Sequence, residues 1–426
     1  MSANTVTVAA IKGQLSKFSG IIARELSKPK QRLIREVIYG IQAAKDIKLS
    51  NISRALNEPI ALIKTEDRLS RNLDDEEFTD EVNKEICRLG SGKVGEDMVI
   101  AIDPGDIRKK YAAKMECLCT IYDGSEHTLG EGDWLAKAVA ADVEHKKVIP
   151  LYLEAYSQEA RGFTSENHQL FKLIDTVSAR LGNKGIYALD RGGDWGKLYD
   201  KFLEKAKEKR FVIRLEKSRD LIYKGGKKNC YVLATMLPCP HQTVIIKYEE
   251  GKEEKTTVFY NALAVRLPGK NYPLFLVVVK GFGKEPMILL TSCSVNLQVK
   301  EAIWRIVEIY LTRWKCEESF RYIKQCYNLE AIRVRHYVSI RNLVVLILAV
   351  AYFAAVYLGD NLKLKMLVER IYLVSKRFFG VPTFFNYAIA DGLYNLLFPD
   401  KTGIHNGLRT KKPEFQLRFS FWEESS

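Results

Sequence analysis

Two apolar runs constrain this chain more than any other feature. Met98–Asp103 (MVIAID) and Gly185–Asp190 (GIYALD) are solid hydrophobic stretches that stop at an aspartate. Short Ile/Val/Ala-rich runs without polar alternation predict strands buried on both faces. Such strands belong to a sheet covered by helices. Further strands are expected at Glu116–Asp123, Lys147–Tyr156 and Arg210–Glu216, with helices over Ser165–Gly182 and Trp195–Arg210. The stretch between Asp123 and Lys147 reads as loop, with Asp-Gly and Gly-Glu-Gly turn signals. The order strand-strand-strand-helix-strand-helix-strand gives an α/β class. Side chains at the C-terminal ends of such strands converge on one rim. Asp103 and Asp190 are therefore expected to meet across 87 residues of sequence.

The flanks have a different texture. Residues 10–73 read as helical and basic: Leu33, Ile34, Val37, Ile38 and Ile41 make one apolar face. Ser50 is a candidate cap for the next short helix, which breaks at Asn57–Pro59 before another begins. Two short helices in a segment of net charge +7 fit a helix-turn-helix-like DNA-binding module. A polar helix and a linker at Leu89–Lys93 follow. Residues 217–290 alternate as β sequence with a hairpin at Glu249–Lys255, and the chain is helical from 296. Leu343–Leu358 has sixteen uncharged residues, short of the ~20 a bilayer span needs, and reads as a core helix.

Charge points to a polyanion. The net value is +14, with +7 in each of 1–73, 210–295 and 296–426 and −7 in 74–209. A basic balance of this kind suits nucleic acid or an anionic membrane surface. Eight cysteines without a C-x-x-C pair read as reduced thiols of a cytoplasmic protein. Cys239 and His241 have the residue types for half of a zinc site, but no second half has suitable spacing, which argues against zinc. His127, His145 and His168 read as surface histidines. The Gly-x-Gly stretches lack the strand-to-helix setting of a phosphate loop. The N-terminus lacks the pattern of a secretory signal.

The chemistry concentrates in Glu301–Glu330. Tyr310, Arg313, Glu317 and Lys324 fall at about 0°, 300°, 340° and 320° around a continuous helix, whereas Glu318 falls near about 80°. One stripe thus presents a carboxylate, two cations and a phenol. Facing the two strand-end aspartates, the carboxylate would complete an oxygen-only donor set suited to a hard cation such as Mg²⁺. Asp106 and Asp194 are alternative ligands, more simply read as loop supports.

Together these residues resemble the DDE transposases of bacterial insertion sequences, in the subgroup with a Tyr-Arg-Glu-Lys signature. Tyr310-x2-Arg313-x3-Glu317-x6-Lys324 has that spacing. The first-aspartate region AIDPGDIRKKYAAKME (101–116), the LDRGGDW segment (189–195) and FVIR (211–214) are similar to the family's corresponding motifs. The resemblance covers roughly residues 20–400. It implies a ribonuclease-H-like mixed sheet flanked by helices, with a β insertion before the last catalytic helix and a helical N-terminal DNA-binding domain. Asp103, Asp190 and Glu317 would be catalytic and would bind two Mg²⁺ ions, with Mn²⁺ as a substitute. Tyr310, Arg313 and Lys324 would bind DNA, with Arg191 and Arg214 as further contacts.

The expected organisation is a helical DNA-binding domain (1–95), a catalytic core in two parts (96–216 and 296–360), a β insertion (217–295), and a C-terminal helical region and tail (361–426). The expected function is cut-and-paste transposition. The chain would bind terminal inverted repeats and cleave and join strands on transposon-end and target DNA, as a homodimer in a synaptic complex, cytoplasmic and without a membrane partner. The alternative is a catalytically silent DNA-binding relative acting as a repressor or domesticated protein.

Overall fold

The computed structural model describes residues 3–110, 112, 114–123, 128–144, 147–204, 208–249, 252–358, 385–400 and 402–404. Five helices come first: α1 (Ala3–Ile22), α2 (Lys28–Ala44), α3 (Leu49–Leu56), α4 (Leu62–Asp74) and α5 (Thr79–Ser91). The apolar face expected on α2 is fully buried at Leu33, Ile34, Val37, Ile38 and Ile41. The chain leaves α3 at Asn57, whose left-handed φ of 45° ends the helix, and Pro59 blocks its continuation. Two local expectations fail. Lys48, not Ser50, precedes α3. The linker expected at Leu89–Lys93 is mostly the last turn of α5, with Gly90 buried.

The sheet begins with β1 (Val99–Ile102), β2 (Gly105–Arg108), β3 (Cys119–Asp123), β4 (Thr128–Ala141) and β5 (Val148–Tyr156). Then come α6 (Glu166–Leu181), β6 (Ile186–Leu189), α7 (Gly196–Phe202) and β7 (Arg210–Arg214). Next are the hairpin β8 (Asp220–Tyr223) and β9 (Gly226–Asn229), α8 (Cys230–Met236), β10 (His241–Glu249), β11 (Lys252–Val265), β12 (Leu274–Lys280) and β13 (Met287–Thr291). Among the described residues eleven strands form one sheet in the order β10-β11-β12-β13-β7-β6-β1-β4-β2, with β3 and β5 also pairing with β4. The pairs β1–β6 and β6–β7 are parallel and β1–β4 and β13–β7 antiparallel, so the sheet is mixed. Strands β10–β13 prolong this same sheet beyond β7. The expected hairpin is present, its strands paired through Glu249↔Lys252; residues 250–251 lie outside the described ones.

The largest departure from expectation is β4. Its sequence, TLGEGDWLAKAVAA, has glycines, acids and alanines where a strand usually has branched side chains, and it reads as loop. In the fold it is the 14-residue strand against which β1, β2, β3 and β5 all pair. Neighbours on both sides favour its small side chains. At Gly132 a Cβ would lie 2.1 Å from the Ile107 carbonyl oxygen, so the β2 backbone can approach only a glycine there.

Both faces of the central strands are covered, which explains their unbroken apolar sequences. Ile100, Ile102, Tyr187, Leu189, Phe211 and Ile213 join the large core on one face. Val99, Ile186, Ala188 and Val212 pack on the other against α9 (Lys300–Thr312), through Ile303, Ile306 and Val307. The chain continues into α10 (Trp314–Tyr327), α11 (Tyr337–Tyr352) with a wider turn over Phe353–Leu358, and α12 (Phe385–Leu397). The rest of 361–426 lies largely outside the described residues.

Tyr337–Leu358 has a mean hydropathy of 2.1 over its most apolar window, and that window is 83% buried. The helix is a core element packed on α2, α5 and β5. Asn342 is its polar anchor: its amide donates to the carbonyls of Leu73 and Glu76, and its Oδ1 accepts from the Phe78 N–H. The turn between α4 and α5 is thereby held to a helix more than 260 residues away.

Candidate active site

The parallel pairing of β1 with β6 aligns Ala101 with Ala188. Two residues further along each strand stand Asp103 and Asp190. The 87-residue separation of the aspartates is thus the register offset of the strands, and neighbouring strands lie about 4.8 Å apart. Both carboxylates sit on the rim where the strands end.

Asp103 is held by two cations. Its Oδ1 accepts from Nη1 of Arg313 at 2.8 Å, and its Oδ2 lies 3.2 Å from Nζ of Lys137. Its backbone N–H also donates to the Lys137 carbonyl. Asp190 is less well satisfied. Among the described residues its Oδ1 accepts one bond, from the Gly192 N–H at 2.9 Å, which starts the short turn Arg191–Gly193. Burial, then the like charge of Asp103, push its carboxyl pKa up, with Arg313, the Gly192 N–H and Arg214 opposing.

Glu317 reaches this group through Arg313, whose Nη2 donates to Oε1 at 3.0 Å. Arg313 therefore bridges Asp103 and Glu317. Burial alone would disfavour its charge, but Asp103, Tyr310, Glu317 and Asp190 together raise its pKa above the ordinary arginine value. The guanidinium is fixed where the expected continuous helix breaks. Helix α9 ends at Thr312, whose hydroxyl donates back to the Glu308 carbonyl, and α10 starts at Trp314. Such back-bonding bends helices.

The break divides the predicted stripe. Arg313 and Glu317 face the aspartates. Tyr310 is only 3% exposed and packs in the core beneath α9, its ring 5.8 Å from the Arg313 guanidinium. Lys324 lies further along α10, 3.0 Å from Glu330 and 3.6 Å from Asp106, over the Phe320 ring. Arg191 follows Asp190, with its Nε buried and unbonded among the described residues. Arg214 ends β7 and acts on Asp190 through its charge. Glu318 is spent on Lys315 at 2.6 Å. Asp194 is a loop support: it accepts from the Tyr199 hydroxyl, Arg219 Nε and the Glu216 N–H, each at 2.8 Å. Of the histidines weighed, His127 and His145 lie outside the described residues.

Sequence reading missed Lys137 and Asp133, both on β4. A lone lysine within Leu135–Ala141 (LAKAVAA) was the available signal, since a buried lysine requires a partner. Asp133 is fully buried, and neither carboxylate oxygen has a hydrogen bond among the described residues. Burial pushes its pKa up to about 7, while Lys109 opposes the shift. Lys109 is itself brought down to about 8 by burial, and its ammonium donates to the carbonyls of Glu330 and Ile332.

Asp103, Asp190 and Glu317 offer oxygen donors only, the kind a hard divalent cation takes. The mutual charge of the two aspartates is what such a cation would relieve. No three His, Cys, Asp or Glu side chains among the described residues are grouped as a metal cluster, since Glu317 is held one guanidinium away from Asp103.

Residues 156–353 match the family model Transposase DDE domain. That span contains Asp190, Arg191, Arg214, Tyr310, Arg313, Glu317 and Lys324, and begins beyond Asp103 and Lys137. No curated protein sequence matches the chain. Among solved structures, the chain is similar to the piggyBac transposase synaptic complex with hairpin DNA, at 10% identity and a TM-score of 0.45. The alignment covers 97% of this chain and 83% of that one.

Proposed function

We propose that this chain is a cut-and-paste transposase of the DDE type. It binds the terminal inverted repeats of its element and performs divalent-metal-dependent strand cleavage and strand transfer. The observation that carries the reading is the alignment of Asp103 with Asp190 on neighbouring parallel strands, with Glu317 brought to them through Arg313. The match of 156–353 to the transposase domain supports it independently. The mixed sheet, in which β1, β4 and β5 pair antiparallel and β6 and β7 run parallel to β1, supports a ribonuclease-H-like core.

In this reading Asp103, Asp190 and Glu317 hold two Mg²⁺ ions, or Mn²⁺ in their place. When bound, such ions lower the pKa of a water or 3′-hydroxyl nucleophile and stabilise the leaving oxygen. Arg313 keeps two of the carboxylates in fixed relation, and the buried Tyr310 ring steadies its guanidinium. Lys324, Arg191 and Arg214 surround the rim with positive charge and hold DNA phosphates. The basic N-terminal helices add contacts to the transposon ends. The working assembly is a homodimer holding transposon-end and target DNA, in the cytoplasm.

The test is Glu317→Gln, assayed on DNA carrying the inverted repeats that flank the reading frame. Loss of a direct ligand should cost more than the ~10–100-fold typical of groups that only support ligands. Undiminished Mg²⁺-dependent cleavage would sink the assignment.

A further inference from the structure

We infer that Lys137 is the resident counter-ion of Asp103, a positioning residue that holds this carboxylate while no divalent cation is bound and yields it when one is. The inference rests on the metal-site reading above. Lys137 stands in an apolar stretch of β4 and is 6% exposed. Burying an ammonium there is costly unless it is paired, and the pairing it has is unusual for this protein. The buried lysines Lys12, Lys30 and Lys109 each donate to backbone carbonyls, those of Gly403, of Asn72, and of Glu330 and Ile332. Among the described residues the Lys137 ammonium donates to no carbonyl. Its partners are Asp103 Oδ2 at 3.2 Å and the face of Phe320 at 4.2 Å.

Room for this arrangement is made by Gly105. A Cβ there would lie 3.3 Å from Nζ of Lys137 and 3.4 Å from the Phe320 ring. Strand β2, helix α10 and β4 thus form a slot that admits a lysine and aims it at one oxygen. The two cations on Asp103 differ in consequence. Arg313 is tied to Glu317 as well and stays with the group. Lys137 has Asp103 as its sole carboxylate partner among the described residues, so its bond is the one a metal replaces.

The experiment is calorimetric titration of the full chain with Mn²⁺, without DNA. Lys137→Met should bind Mn²⁺ about tenfold more tightly, because a competing cation beside the carboxylate is gone. Lys137→Arg, which keeps the charge, should stay near the parent affinity. In EDTA the Lys137→Met protein should melt below the parent, and saturating Mn²⁺ should close the gap. If Lys137→Met does not fold, Lys137→Gln is read in the same way. Unchanged or weaker Mn²⁺ binding in the charge-free variants overturns the role of Lys137 and leaves the metal site standing, provided Asp190→Asn weakens binding in the parent. No Mn²⁺ binding by the parent, or none sensitive to Asp190→Asn, overturns both.

Discussion

Two polar clusters in this protein are built from the same residue types and behave differently. One surrounds Glu154 on β5, which is 2% exposed. It receives Lys172 from α6 at 2.8 Å, Arg341 from α11 and the hydroxyl of Tyr152. Lys172 also meets Asp80 on α5 at 2.8 Å, and Arg341 meets Glu77 at 2.5 Å. Every charge has an opposite one in contact, and the cluster joins α5, α6, α11 and β5. The other is the rim of Asp103, Asp190 and Glu317, where among the described residues Asp190 receives a single hydrogen bond, from a backbone N–H, and faces a like charge. A cluster whose charges are all paired serves the fold. An undersatisfied one holds stored repulsion that a ligand can relieve, as functional sites tend to.

The sharpest way to break this contrast is in the saturated cluster. Arg341→Met leaves Glu77 without its paired cation and Glu154 with Lys172 as its one cation among the described residues. Removing one partner of a buried ion pair costs about 3–5 kcal/mol, and urea unfolding should show a loss near the lower end. A negligible loss would mean the cluster is not structural.

Asp190→Asn probes the other side and should have the opposite sign in metal-free buffer. The carboxyl pKa of Asp190 is raised in the folded state. Its favourable contribution is complete below the unfolded pKa and is lost as pH rises through the folded one. The variant should therefore gain on the parent as pH rises above about 4, while losing Mg²⁺-dependent cleavage. Thermal melts across pH measure the first effect and a strand-cleavage assay the second.

The smallest expected effect is at Glu318, one residue from the candidate ligand. It is 44% exposed and paired with Lys315. Exposed pairs contribute about 0–1 kcal/mol, so Glu318→Gln should move neither stability nor cleavage appreciably. A large cleavage loss would shift the ligand assignment from Glu317 to its neighbour.

Much of this was legible in the chain because it depends on local pattern. Met98–Asp103 and Gly185–Asp190 announce buried strands through their composition, and the parallel register then puts their terminal aspartates side by side. The α2 face follows from helical periodicity. Strand β4 was illegible because its small and acidic residues suit a strand only when neighbours press on both sides. Lys137 was hidden with it. The single-face stripe was half right: the backbone breaks at Arg313, so Tyr310 goes into the core while Glu317 stays at the rim.

The sequence by itself determined which strands end at Asp103 and Asp190 and which helix carries Glu317, since short-range pattern specifies them. Tertiary structure alone decided how these carboxylates are held. That depends on Arg313 reaching 210 residues back to Asp103 and on Lys137 entering from a strand with no strand signature. Contacts of that kind arise from the packing of distant segments, and no local spacing encodes them.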